Sequence, residues 1–112
     1  MLEGKTDEDE VNVILSPSFK KIFKKLPAAD LNLVEDQIEE IIANPEIGEL
    51  KKGDLSYMRV HKFLMNNQSI LLGYSWKDEE LIIYLLCIGA HENFYRDAKK
   101  RRKQDKTLIQ DE

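Results

Sequence analysis

The apolar positions of this chain change their period along its length, and the changes divide it into elements. VNVIL (Val11–Leu15) reads as a short strand, apolar on both faces toward its end. Ser16-Pro17 follows as a helix N-cap with proline in the first helical position. Phe19, Ile22, Phe23 and Leu26 then recur at helical spacing, with Lys20, Lys21, Lys24 and Lys25 on the other face. Pro27 breaks that helix and opens a second. Leu31, Val34, Ile38, Ile41 and Ile42 form the second helix's apolar stripe, and Glu35, Asp36, Glu39 and Glu40 its acidic outer face. Asn44-Pro45 ends it, which predicts an αα-hairpin. Glu46–Leu55, with Gly48 and Gly53, reads as a loop.

Beyond the loop the period shortens to two. Tyr57–Phe63, Ile70–Trp76 and Leu81–Ile88 are three strands separated by turns at Asn66-Asn67 and Lys77-Asp78. Such short connections predict an antiparallel meander. Alternation in the first of these strands puts Arg59, His61 and Phe63 on one face, and Met58, Val60 and Lys62 on the other. A last helix is expected over about Glu92 to Lys103. The predicted class is α+β in the order β-α-α-β-β-β-α: a helical hairpin on a small, mainly antiparallel, twisted sheet, with a short C-terminal helix. The expected organisation is one domain over residues 11–104, between an acidic tail (1–10) and a C-terminal tail (105–112).

Composition adjusts this picture in three places. At 112 residues one modest core is expected. No apolar run approaches the roughly 20 residues of a membrane span. MLEGKTDEDE lacks the basic-then-apolar order of a signal peptide, so a cytoplasmic protein is expected. The formal charge of −4 argues at first against nucleic acid. Yet seven of the 21 acids lie at the two ends, and Ser16–Lys106 holds 16 Lys and Arg against 14 Asp and Glu. An acidic total therefore conceals basic clusters at Lys20–Lys25, Lys51–Lys52 and Lys99–Lys103. The single cysteine, Cys87, sits among apolar neighbours and reads as a small core residue. Tyr57, Trp76 and Phe94 read as core or contact aromatics.

Few chemistries have a foothold. There is no Gly-rich phosphate loop and no Gly-x-Ser-x-Gly elbow, and two distant histidines with one cysteine do not make a zinc site. Neither a cofactor nor a metal is expected. What remains suits RNA phosphates: Arg59, His61, His91, Tyr95, Arg96, Lys51 and Lys52. Metal-free RNA cleavage needs a base for the 2′-OH, cations for the phosphorane and an acid for the departing 5′-oxygen. Histidine changes charge near neutral pH, and arginine forks onto phosphate oxygens. His91 and Tyr95 are four apart and share one face of a helix. Taken alone, GAHENFYRDAKKRRK (Gly89–Lys103) reads better as a capped helix packing its aromatics into a core.

The layout as a whole resembles the RelE/ParE superfamily of toxins from bacterial type II toxin–antitoxin modules. The resemblance runs over residues 11–103, through NPEIGELKKGDLSYMRVHKF (Asn44–Phe63), ILLGYSW (Ile70–Trp76) and LIIYLLCIGAHENFYRDAKK (Leu81–Lys100). It implies a small toxin restrained by a cognate antitoxin. In RelE-like members it further implies entry to the ribosome and metal-independent cleavage of mRNA, by 2′-OH attack on the adjacent phosphate, which inhibits translation. Carried across, His91 would be the general acid or base and Tyr95 a stacking or proton-relay partner. Arg59 would stabilise the transition state, with His61, Lys51, Lys52 and Arg96 binding substrate.

Two alternatives stay open. Where nucleases of the family often carry a strand arginine, in text like YRLVY, this chain has ILLGY, with Leu71 in its place. That favours a ParE-like, non-enzymatic inhibitor of DNA gyrase, or an inactive remnant that only binds antitoxin.

Overall fold

A computed structural model describes residues 10–110. Most of the acidic tail expected at the N-terminus, and the last two residues, Asp111 and Glu112, lie outside the described residues. The elements run β1 (Asn12–Leu15), α1 (Pro17–Lys24), α2 (Ala28–Ala43), β2 (Glu49–Leu50), β3 (Arg59–Met65), β4 (Gln68–Lys77), β5 (Ile82–Ala90), α3 (His91–Lys100) and α4 (Arg102–Gln110). The strands form one sheet in the order β1-β5-β4-β3-β2. β1 runs parallel to β5 and every other pair is antiparallel.

The local signals act as their chemistry dictates. The Ser16 hydroxyl accepts from the Phe19 N–H at 3.0 Å, capping α1. The same hydroxyl donates to the Leu86 carbonyl at 2.8 Å. Leu86 is the extra residue of a bulge: Gly73 pairs with Cys87 and Tyr74 with Leu85, so Leu86 has no opposite number on β4. Ser16 thus starts a helix and satisfies a carbonyl in the bulge. At the β3–β4 turn, Asn66 and Asn67 both take positive φ, +55° and +63°, the left-handed pair that a two-residue hairpin requires.

The sheet is covered on both sides. α1 and α2 bury Phe19, Val34 and Ile41 against Ile70, Leu72, Tyr74, Ile83, Leu85 and Ile88 on one face. On the other face α3 buries Phe94 and Ala98 against Met58, Val60, Leu71, Leu86 and Cys87, and Leu108 and Ile109 of α4 pack alongside. Each fully buried large side chain contributes roughly 1.5–3 kcal/mol, so both layers matter to stability.

Two features depart from the sequence reading. The segment read as a plain loop contains β2, two residues long and too short to show a period. The last helix does not stop near Lys103. It breaks at Arg101 and continues as α4, so most of the segment expected as a C-terminal tail from residue 105 is helical. A polar sequence, RKQDKTLIQ, conceals α4 from a periodicity argument. Tertiary ties hold it instead: Lys77 Nζ donates to the Ile109 carbonyl at 3.0 Å, and Arg102 pairs with Asp54 at 3.0 Å.

Candidate functional site

β5 passes directly into α3, with Ala90 as the N-cap residue and no side-chain capping bond. His91 is therefore the first helical residue rather than its cap, and it is exposed. One turn on, Tyr95 presents its ring edge-on to His91, with centroids 6.3 Å apart and an interplanar angle of 85°. What fixes this pair is the buried side of the helix. Phe94 packs edge-on to Tyr95 at 5.0 Å and reaches the sheet over Gly73. A Cβ at Gly73 would lie 2.9 Å from Phe94 Cζ and 2.6 Å from Met58 Sδ, so the glycine in β4 is what lets α3 settle.

The loop after β2 supplies a cation. Lys51 Nζ stands 5.3 Å from the centre of the Tyr95 ring and 3.2 Å from Glu49 Oε1. Tyr95 above all, with help from Glu49, holds the Lys51 ammonium above its usual pKa, against the opposing effect of burial. Its backbone is anchored by an N–H bond to the Met58 carbonyl at 3.0 Å. Lys52 follows, exposed.

Of the residues singled out in the sequence, the structure brings His91, Tyr95 and Lys51 together, and Lys52 is the exposed residue that follows Lys51 in the chain. Arg96 is exposed next to Tyr95, but its guanidinium faces Asn93 at 3.2 Å and Asp97 at 3.5 Å. Arg59 and His61 do not join the group. Alternation puts them on the opposite face of the sheet, beneath α2. Arg59 Nη1 donates to the carbonyls of Gly48 at 2.8 Å and Glu46 at 3.3 Å. Opposite it on β4, Tyr74 donates to the Pro45 carbonyl at 2.6 Å and accepts from the Gly48 N–H at 2.9 Å. The pair ties down the chain between α2 and β2. His61 is 9% exposed, hydrogen-bonded to Gln37 of α2 at 2.7 Å and stacked on Phe63. Burial pushes its pKa down, with Glu40 opposing weakly. Both are built into the fold.

The cation that does face the α3 side is Lys62. It is exposed, two residues past Val60, and in register with Leu71, which pairs in turn with Gly89. A Cβ at Gly89 would meet nothing within 4 Å, so the sheet is open there, two residues before His91. The strand's alternation already separates Lys62 from Arg59. What the sequence lacks is which face the hairpin covers. Leu71 is buried, 2% exposed, in the same cross-strand row as Lys62. Cys87 is buried on this side as well, and burial raises its thiol to about 12, the behaviour of a packing residue. Among the described residues, no three His, Cys, Asp or Glu side chains gather as metal ligands, and no helix is long and apolar enough to cross a membrane.

The arrangement combines an exposed imidazole, an aromatic face and several cations at one end of a partly open sheet face. That set can hold a phosphodiester, stack a base and move a proton. Comparison with known proteins bears on whose set it is. The family model for the ParE-like toxin of type II bacterial toxin–antitoxin systems matches residues 13–99. Among solved structures, a double arginine-to-alanine mutant of E. coli toxin RelE in the free state is 19% identical with a TM-score of 0.63, over 81% of this chain and 96% of that one. The toxin chain of the intact E. coli RelBE toxin–antitoxin complex is 16% identical with a TM-score of 0.59, over 72% and 96%. The mutant RelE in complex with an antitoxin RelBc peptide is 16% identical with a TM-score of 0.58, over 78% and 93%. At these identities the likeness is one of fold. A search of curated proteins finds no match.

Proposed function

The chain belongs to the ParE-like toxins of type II bacterial toxin–antitoxin systems, and on that premise we propose that it is a metal-independent, ribosome-dependent mRNA endoribonuclease. The observation that carries the reading is the His91–Tyr95 pair with Lys51 against the tyrosine ring. In the proposed reaction an mRNA 2′-oxygen attacks the adjacent phosphorus as its proton leaves. The bond from phosphorus to the 5′-oxygen breaks, and that oxygen takes a proton. The products are a 2′,3′-cyclic phosphate and a 5′-hydroxyl. His91 carries one of the two proton transfers. Tyr95 stacks on a base or relays a proton. Lys51, Lys52 and Lys62 lower the energy of the charged phosphorane, as preorganised cations do. Arg59 and His61 support the fold instead of the substrate, and Arg96 sits at the margin.

The partner in the cell is a cognate antitoxin, in keeping with the RelB-bound relatives. The proposed target is the translating ribosome with its mRNA, in the cytoplasm.

One observation favours a second reading. Leu71 is buried and apolar in the row where nucleases of the resembled family often carry an arginine, which suits a ParE-like inhibitor of DNA gyrase. Mapping of mRNA 5′ ends after induction decides between them. Cleavage clustered within reading frames, dependent on translation, is the expected result. Uncut mRNA together with DNA damage and filamentation would replace the nuclease reading with the gyrase one.

A further inference from the structure

α4 presses a carboxylate, Asp105, into the second apolar layer. Asp105 is 1% exposed, and its Oδ2 has no hydrogen-bond partner among the described residues. Two neighbouring polar atoms share that condition: Tyr57 Oη, from the segment before β3, and Arg101 Nε, at the α3–α4 break. Cys87 of β5 also faces the group. The Asp105 charge helps raise both the Tyr57 hydroxyl and the Cys87 thiol. The other nearby cations are turned to different partners. Arg102 pairs with Asp54, and Lys106 lies over the Tyr57 ring at 5.9 Å. Arg101 is the one charge that favours ionised Asp105, and burial outweighs it. A buried carboxylate without its full set of partners is costly when charged and tolerable when protonated.

We propose that α4 is a proton-linked strap: protonation of Asp105 tightens its hold on Tyr57 and the loop that carries Lys51 and Lys52, and ionisation loosens it. The geometry links the helix to that loop twice, through Arg102–Asp54 and through Lys106 over Tyr57. The inference concerns the fold of the chain alone and stands independently of what the toxin attacks.

The sign follows from linkage. The Asp105 pKa is raised from 3.8 to about 6 with α4 in place. Between those values the undocked helix gives up its proton first, so docking weakens as pH rises and levels off above the docked value. For these two values the docking constant falls about tenfold between roughly pH 5 and pH 7.5.

Amide hydrogen exchange on the full chain tests this, corrected for intrinsic rates, together with a carbon-detected titration of the Asp105 carboxyl. α4 amides should be about tenfold better protected at the lower pH. The carboxyl should titrate near 6. Asp105→Asn should give α4 high protection at both pH values. A carboxyl midpoint near its ordinary value overturns the proposal. So does an α4 pH response that survives in Asp105→Asn, or one shared equally by β4 and β5. If Asp105→Asn does not fold, the wild-type carboxyl titration decides alone.

Discussion

Lys51 Nζ lies 5.3 Å from the centre of the Tyr95 ring, joining the loop after β2 to the first turns of α3. Neither residue needs the other for folding, since Lys51 is held by its backbone and Tyr95 by the packing of Phe94 beside it. Their contact is therefore one that the proposed site can use. Cation–π pairs at such partly exposed positions contribute roughly 0.5–1 kcal/mol, enough to orient a side chain and too little to hold a domain together. Lys51→Ala and Tyr95→Ala should each lower mRNA cleavage about 10-fold or more, with the double variant less impaired than the product of the two. Multiplicative effects in a double-mutant cycle would show that the two act separately.

His91 is the sharpest single test of the nuclease reading. It is exposed at the start of α3, so His91→Ala should leave thermal stability within about 0.5 kcal/mol of wild type. Loss of one positioned proton-transfer group costs about 10²–10⁴-fold in rate. The expected result is full growth rescue on induction with the protein folded and abundant. A His91→Ala variant as toxic as wild type would remove histidine from the mechanism.

How far the sequence reached can be seen in β3. Alternation put Arg59 and His61 on one face and Lys62 on the other, and the structure keeps that division. Order, hairpin, meander and the His91–Tyr95 pair were legible because periodicity and turn chemistry are local. Which face of the sheet α2 covers is not local. It depends on Gln37 meeting His61 and on Tyr74 and Arg59 pinning the chain at Pro45–Gly48. For the same reason basic residues that look alike in a strand divide into two that hold the fold and one that faces solvent beside the candidate site. α4 was illegible on a different ground: its stripe is interrupted by a buried acid, so no apolar period marks it.

That division makes a paired prediction. Lys62→Glu should lower cleavage at least 10-fold while leaving the melting temperature unchanged, since the side chain is exposed and reverses its charge toward the phosphates. Arg59→Ala should do the reverse. It removes two bonds from a cation to backbone carbonyls, a loss of about 1.5–3 kcal/mol. Urea denaturation read beside cleavage separates the two. An Arg59→Ala protein that keeps its stability and loses activity would return Arg59 to the substrate.

Gly73 links packing to the site. A methyl group there would sit 2.6 Å from Met58 Sδ and 2.9 Å from both Cys87 Sγ and Phe94 Cζ. Overpacking of this kind costs about 1–3 kcal/mol. Because Phe94 is the part of α3 that must move, Gly73→Ala should also weaken the His91–Tyr95 arrangement and reduce cleavage more than stability alone explains. The compensating variant Gly73→Ala with Phe94→Leu should recover part of both. Failure to recover either would place the strain elsewhere, at Met58 or Cys87.

The acid limb of the stability curve should carry the mark of His61. Its pKa is depressed below the ordinary 6.5 by burial against α2. In the unfolded chain the imidazole binds a proton at a pH where the folded one still refuses it. Folding is thus favoured above the unfolded value, and that contribution is lost as pH falls below it toward the folded one. His61 Nε2–H donates to Gln37 Oε1, a bond that both the neutral ring and the imidazolium can make, so burial alone sets the direction. His61→Phe replaces the imidazole by a ring that does not titrate and can keep the stack on Phe63. Chemical denaturation between roughly pH 7.5 and pH 5 should show a shallower loss of stability for His61→Phe than for wild type. Cleavage per folded molecule should stay within about twofold, because the residue faces away from His91. Asp105 works with the opposite sign over the same interval, so the double variant with Asp105→Asn isolates the histidine. An identical slope in that background with and without His61 would mean that the ring is free to protonate in the fold.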